Sequence, residues 1–214
     1  MNPKDVVRTG YDRVSRVYRP DEDARASQLY APWLARLCAA LPPAPRILDL
    51  GCGCGLPATR ELAKRGEVTG VDLSPVQVDR ARALVPDARF LCADMCAVEL
   101  PPGTFDAVVS FYAVVHVPLE EQEALFRRIA GWLKPGGLFL ATLGHTAWTG
   151  TESDWLDVEG ASMYWSHADA ATYRRWLEDA GFVVLLEIFV PEGGGGHQLF
   201  LGRLGGTGSR EVPG

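Results

Sequence analysis

The sequence predicts an α/β protein whose mostly parallel sheet is closed by a C-terminal antiparallel hairpin. Three observations predict it. Strand-like apolar runs alternate with helix-like stretches from residue 46 to about residue 180. Two of those runs, Arg46–Leu50 and Phe105–Ser110, are nearly continuously apolar, as parallel strands covered on both faces require. The alternation then stops. Phe182–Val190 and His197–Leu204 are two β-rich runs joined only by Pro191-Glu192-Gly193-Gly194-Gly195-Gly196, which reads as a hairpin.

Each element has its own signal. Residues 3–17 read as a helix, because Val6, Val7, Tyr11, Val14 and Tyr18 fall near helical spacing and Pro20 stops it. A second helix runs from Ala24 to Leu41 and ends before Pro42-Pro43. Five strands are expected at Arg46–Leu50, Glu67–Asp72, Ala88–Cys92, Phe105–Ser110 and Leu138–Leu143; the hairpin brings the sheet to seven. Pro57 suits the first turn of the helix after the first strand. Ser74-Pro75-Val76-Gln77 has an N-cap serine, an N1 proline and an N3 glutamine in capping-box order. Leu125, Phe126, Ile129 and Leu133 form one helical face. Ser166-His167-Ala168-Asp169 is expected to cap a last helix with the face Tyr173, Trp176, Leu177 and Ala180, ended by Gly181. The sequence reads as one domain over residues 1–204, with a Gly-rich, disordered tail at 205–214.

Composition narrows the partners. A net charge of −6 and an isoelectric point near 5.2 argue against a nucleic-acid backbone or an anionic membrane as the main partner. The basic residues at 80–82, 127–128 and 174–175 read as solvated helix faces. Met1-Asn2-Pro3-Lys4-Asp5 leads into no apolar segment, and no run is long enough to span a bilayer, so a cytoplasmic protein is expected. Five cysteines, at 38, 52, 54, 92 and 96, are an odd number. Their C-x-C and C-x-x-x-C spacings, without nearby histidines, suit reduced thiols and no metal site.

The most telling run is Ile47-Leu48-Asp49-Leu50-Gly51-Cys52-Gly53-Cys54-Gly55. A strand carrying an acidic residue opens into a glycine-spaced turn, where backbone N–H groups can approach a ligand. Asp72, about 20 residues on at the next strand tip, can accept hydrogen bonds from both ribose hydroxyls. The pair points to a nucleoside-containing cofactor. The dinucleotide pattern G-x-G-x-x-G fails, because its third glycine is Leu56 here. No Gly-Lys-Ser/Thr follows, so a phosphate-cradling P-loop fails too.

The run Asp49-x-Gly51-x-Gly53-x-Gly55 resembles motif I of the class I S-adenosylmethionine (SAM) methyltransferases. Four later segments extend the resemblance in order: Gly70-Val71-Asp72-Leu73-Ser74-Pro75, Cys92-Ala93-Asp94-Met95, Phe105-Asp106-Ala107-Val108-Val109-Ser110, and Leu133-Lys134-Pro135-Gly136-Gly137-Leu138-Phe139-Leu140. The resemblance implies a Rossmann-like core at 46–204 and an N-terminal helical lid at 1–41. It implies SAM, leaving as S-adenosylhomocysteine, as cofactor, with no metal. Asp49 and the turn of Gly51, Cys52, Gly53 and Gly55 would hold the methionine part. Asp72 would hold the ribose; Asp94, Met95, Leu73 and Gln77 would lie about the adenine, and Ser110 at the fourth strand end would be a further contact. Tyr11 would meet the SAM carboxylate from the lid, or pack its ring on the domain, the reading that also suits Tyr18.

Ligands of open α/β sheets sit beyond the carboxyl ends of the strands. The loops there carry Tyr112 and His116 after the fourth strand, and His145 and Trp148 after the fifth. The aromatic segment Trp155 to His167 adds Tyr164 and Trp165. Tyr112, Trp148, Tyr164 and Trp165 are expected to line an aromatic acceptor pocket. His116 and His145 are the candidate catalytic bases, with simple packing before Pro118 the other reading for His116. His167 suits a helix cap and His197 a hairpin end. The expected activity is methyl transfer to O or N of a small aromatic or apolar metabolite. The alternatives are an inactive SAM-binding scaffold and a nicotinamide-dependent oxidoreductase. The oligomeric state is left open.

Overall fold

The structure is a computed structural model that describes residues 2–22 and 24–205. The tail expectation at 206–214 lies outside the described residues. Two helices come first, α1 at Pro3–Tyr18 and α2 at Ala24–Ala39. They are followed by β1 (Arg46–Leu50), α3 (Ala58–Ala63), β2 (Glu67–Asp72), α4 (Pro75–Leu84), β3 (Arg89–Cys92) and β4 (Phe105–Ser110). Next come α5 (Leu119–Trp132), β5 (Leu133–Gly144), β6 (Trp148–Glu152), β7 (Met163–His167), α6 (Ala170–Asp179), β8 (Phe182–Glu192) and β9 (Gly195–Leu204).

Seven strands form one sheet in the order β3-β2-β1-β4-β5-β9-β8. Strands β1 to β5 are mutually parallel, and β9 runs antiparallel to both neighbours. The sheet therefore has the expected seven strands and the expected closing hairpin. Strand order reverses between β1 and β4, which opens a crevice at their carboxyl ends.

Alternate residues of each strand feed opposite layers. Leu48, Leu50, Val108, Phe139 and Ala141 pack with Phe126 and Ile129 of α5 and Tyr173 and Leu177 of α6. Ile47, Ala107, Val109, Leu138 and Leu140 pack with Leu34 and Leu37 of α2 and Leu62 of α3. The near-continuous apolar runs of β1 and β4 follow from this double covering.

Three local expectations change. β5 begins at Leu133 rather than Leu138, because Leu133 pairs with Phe105 before a register break at the Pro135-Gly136 turn. The last helix is capped by Asp169 alone, whose carboxylate accepts the Thr172 N–H at 2.8 Å; Ser166 and His167 belong to β7. The aromatic segment before it is no plain loop: β6 and β7 form a separate antiparallel hairpin.

Candidate active site

Beyond the ends of β1, β2 and β4 lies a cavity of about 970 Å³ of free space, its open mouth included. Three carboxylates line it, one from each of β1 and β2 and one just past β3: Asp49, Asp72 and Asp94.

Asp72 is the junction between turn and helix. Its Oδ2 accepts the Gly53 N–H at 2.8 Å, and its Oδ1 accepts the Ser74 N–H at 2.9 Å. Burial pushes its carboxyl up to about 6, the two N–H donors working against the shift and Asp12 adding to it. Asp49 is buried, and its Oδ2 accepts the Thr59 hydroxyl at 2.6 Å. Burial raises it to about 7 despite that bond, and the Asp72 charge adds to the rise. A positively charged or hydrogen-donating ligand would favour the ionised form of both acids.

The glycine turn is shaped by its surroundings. Gly51 has φ +70°, and a Cβ there would stand 2.1 Å from the Ala113 Cβ. Gly53 has φ +54°, and a Cβ there would meet nothing within 4 Å, because the residue lines the cavity. Gly55 stands outside the lining; a Cβ there would lie 3.0 Å from Val85 Cγ2, so this residue serves close packing on the end of α4.

Helix α1 lies across the cavity with Lys4, Val7, Arg8, Tyr11 and Tyr18 on the lining side. Asn2 caps it, accepting the Lys4 N–H, and Pro3 opens it. Its attachments are polar. Ser74 Oγ donates to Asp12 Oδ1 at 2.5 Å, and Ser15 Oγ donates to Gln77 Oε1 at 2.8 Å. The capping box at α4 is therefore only half formed. Gln77 N–H bonds to Ser74 Oγ at 3.1 Å, but the Gln77 side chain turns to α1 because Asp72 already takes the Ser74 N–H. The buried Arg80 guanidinium donates to the Ser15 and Arg19 carbonyls at 2.6 and 2.8 Å and pairs with Asp21. At the other end Lys4 Nζ reaches Asp94 Oδ2 at 2.6 Å and Glu121 Oε2 at 2.5 Å.

Tyr11 Oη stands 2.9 Å from His116 Nε2. His116 Nδ1 lies 2.7 Å from the Tyr164 carbonyl, which can only accept, so Nδ1 carries the proton. Nε2 of the neutral ring is then an acceptor, and Tyr11 donates to it. Burial pulls the His116 imidazole down to about 4, against the Tyr164 carbonyl, which holds it up. Burial also raises the Tyr11 phenol well above its ordinary range.

Of the residues expected at the cofactor, Tyr11, Asp49, Gly51, Cys52, Gly53, Asp72, Leu73, Gln77, Asp94 and Met95 all line this cavity. Ser110 does not; its hydroxyl donates to the Leu50 carbonyl at 2.9 Å and ties β4 to β1. Among the acceptor-side residues, Tyr112 and His116 line the cavity. His145 lies outside it, with its ring 4.6 Å from Phe189 and its Nδ1 3.0 Å from Gln198 Oε1. Trp148 is 49% exposed on β6, away from the lining. Tyr164 and Trp165 on β7 belong to the cluster behind α1 with Val7, Val14 and Trp155. They act on the site from behind: Trp165 packs at a tilt with its ring 4.3 Å from the His116 ring, and Tyr164 supplies the carbonyl that orients it.

The aromatic wall beyond the glycine turn is instead Tyr18, Tyr30, Phe111 and Tyr112, with the Arg19 guanidinium 5.2 Å over Tyr18 and 5.8 Å over Tyr30. Tyr112 is held at φ +56°, a conformation unusual for a bulky residue, with its N–H bonded to Thr142 Oγ1 at 2.6 Å. Sequence reasoning missed Lys4, Arg19, Tyr30 and Phe111. A signal for Lys4 existed: residues 4, 7, 8, 11 and 18 share one helical face.

Residues 47–137 match the methyltransferase domain family. Among curated relatives, the 2-methyl-6-phytyl-1,4-hydroquinone methyltransferase of Synechocystis is 39% identical over 105 residues, covering 47% of this chain and 32% of that protein. The ubiquinone biosynthesis O-methyltransferase of Xanthomonas euvesicatoria is 37% identical over 151 residues, 64% of this chain and 62% of that one. The chain spans about a third of the length of the first curated relatives it matches. Among solved structures, the magnesium protoporphyrin IX methyltransferase of Synechocystis with bound SAM superposes with a TM-score of 0.71 at 20% identity, over 95% of this chain and 98% of that one, which is a likeness of fold. With its sheet order, its glycine turn and the domain match over residues 47–137, this chain is similar to the class I S-adenosylmethionine-dependent methyltransferases.

Proposed function

We propose that this chain binds SAM in the cavity and transfers its methyl group to an oxygen or nitrogen of a small, aromatic or largely apolar metabolite. The observation that carries the reading is Asp72. It sits at the second strand tip, tied to the Gly53 N–H of the turn, in one cavity with Asp49 and Asp94. The residues suit the cofactor along its length. Asp94 would accept from the adenine amine, Asp72 from the ribose hydroxyls, and the open face of Gly53 would leave room for the chain that follows. Asp49 would meet the positive end of the amino-acid part.

When bound, SAM supplies a methyl group already activated for in-line displacement. What the chain contributes is position and the fate of a proton. Tyr18, Tyr30, Phe111 and Tyr112 hold a flat or apolar acceptor against the cofactor side of the cavity. Tyr11 Oη takes a proton from the acceptor as its own passes to His116 Nε2, which is free to receive it. The imidazolium is disfavoured by burial, so this transfer accompanies methylation rather than preceding it. In solution the reading implies no nucleic-acid partner and a cytoplasmic protein; among the described residues no helix is long and apolar enough to cross a membrane.

Calorimetry with S-adenosylhomocysteine, followed by a panel of phenols, catechols and aromatic amines with methyl-labelled SAM, tests the reading. Micromolar binding and label transfer to a member of the panel are expected. Absence of S-adenosylhomocysteine binding would refute it.

A further inference from the structure

The three acidic residues of the cavity differ in what holds them. Asp49 is held by a neutral hydroxyl and Asp72 by two backbone N–H groups. Asp94 is held by the Cys96 N–H at Oδ1, 2.8 Å, and by a charged side chain, Lys4 Nζ, at Oδ2. Both Asp94 oxygens are thus engaged. Lys4 and Asp94 both line the cavity, so the ammonium stands where a ligand donor would approach Oδ2. Two donors on the same side of one carboxylate oxygen crowd each other. Lys4 also has a second acceptor already in contact, Glu121 Oε2 in the first turn of α5. It can release Asp94 without losing its ion pair.

We propose that Lys4 is an internal occupant of the nucleobase subsite: its ammonium holds Asp94 until the exocyclic amine of adenine replaces it, and Lys4 then rests on Glu121 alone. This rests on the reading of Asp94 as the adenine acceptor. Glu121 is then a positioning residue for an exchange, since it determines what Lys4 loses when the nucleoside enters. Lys4 rides on α1, whose opposite end is fixed by Arg80 to the Ser15 and Arg19 carbonyls. The exchange therefore takes place at the other end of the helix that covers the cavity, which Lys4 ties to Asp94 and Glu121.

A double-mutant cycle on the full chain tests it, with calorimetry of S-adenosylhomocysteine and of adenosine. Lys4→Met removes the competitor and should tighten both ligands about fivefold, the scale of a partly exposed ion pair. Glu121→Gln removes the resting place and should weaken both by a few-fold, by the same scale. The double variant should bind like Lys4→Met, because Glu121 acts only through Lys4. Adenosine carries the test because it lacks the amino-acid part and reports the nucleoside end alone. Unchanged or weaker binding by Lys4→Met overturns the exchange, as does a double variant that still shows the Glu121→Gln loss. A wild-type chain that binds neither ligand overturns the cofactor reading and the exchange with it.

Discussion

Tyr11 and His116, 105 residues apart in sequence, share one hydrogen across 2.9 Å, and the direction of that bond is fixed by the Tyr164 carbonyl on the far side of the imidazole. The helix that covers the cavity is thereby joined to the loop after the fourth strand through a single neutral ring. Trp165 packs at a tilt on that ring at 4.3 Å, and Trp155 packs edge-on against Tyr11 at 5.4 Å. The pair is packed against a tryptophan on each side.

Tyr11→Phe keeps those ring contacts and deletes only the hydroxyl. Methyl transfer should fall about 10²-fold, within the usual range of acid–base contributions, while S-adenosylhomocysteine affinity changes little. His116 is held near 4, so the kcat/KM profile should show no step from this histidine between pH 5 and 8. Steady-state rates of wild type and Tyr11→Phe across that range check both statements. Full activity in the variant would remove the proton route.

Asp72→Ala should weaken S-adenosylhomocysteine by about 1.5–3 kcal/mol, the contribution of hydrogen bonds to a charged acceptor. It also frees the Gly53 N–H, so loss of turn order adds to the loss of ribose contacts. In wild type, burial pushes the Asp72 carboxyl up to about 6 and the Asp49 carboxyl up to about 7. Affinity should therefore rise as pH goes from 5 to 8 and both groups ionise. Calorimetry at three pH values measures the slope, and a flat response would detach these acids from the ligand.

Much of this site was legible because strand tips announce themselves. An apolar run that ends in an acidic residue or a glycine, as at Asp49-Leu50-Gly51 and Val71-Asp72, marks both the element and its functional end. The β6–β7 hairpin was not legible. Trp148–Glu152 is mostly exposed and carries no period-two apolar pattern, and its partner strand lies ten residues away. Without that hairpin, the aromatic density at Trp155–Trp165 gives no direction. The rings point to the back of α1, and the wall of the cavity comes from Tyr30 and Phe111, on elements whose faces look like ordinary core. His145 was misplaced for a related reason: β5 carries it to the side of Gln198 and Phe189 on the closing hairpin, and the cavity lies elsewhere.

Asp49 separates stability from function. Its folded carboxyl is held near 7, above its unfolded value of about 4. The sign follows from a raised carboxylate: no penalty exists below the unfolded value, and stability is lost as pH rises from about 4 through 7. At about 1.4 kcal/mol per pKa unit, the penalty above pH 7 is on the order of a few kcal/mol. Asp49→Asn keeps an acceptor for Thr59 and removes the charge. Without ligand, the variant should be more stable than wild type at pH 8 and equal to it near pH 4. It should also bind S-adenosylhomocysteine more weakly at pH 8. Urea denaturation at both pH values checks the first part, and a variant destabilised at pH 8 would contradict it.

Gly51 and Gly53 both adopt positive φ, yet adding one methyl group should affect them differently. At Gly51 the new Cβ would lie 2.1 Å from the Ala113 Cβ, an atom that no rotamer change can move aside. Gly51→Ala therefore moves the loop carrying Tyr112 and His116 away from the turn, and the domain should lose several degrees of Tm. At Gly53 the Cβ meets nothing within 4 Å, so the folded state bears only the backbone cost, roughly 1–3 kcal/mol. The methyl group projects into the cavity, where the ligand must approach the turn. Gly53→Ala should thus remain folded with weakened S-adenosylhomocysteine binding, and Gly53→Val should abolish binding in a domain that still unfolds cooperatively. Calorimetry alongside thermal melts separates the outcomes: a folded Gly53→Val chain with wild-type affinity would show that the ligand never touches the turn.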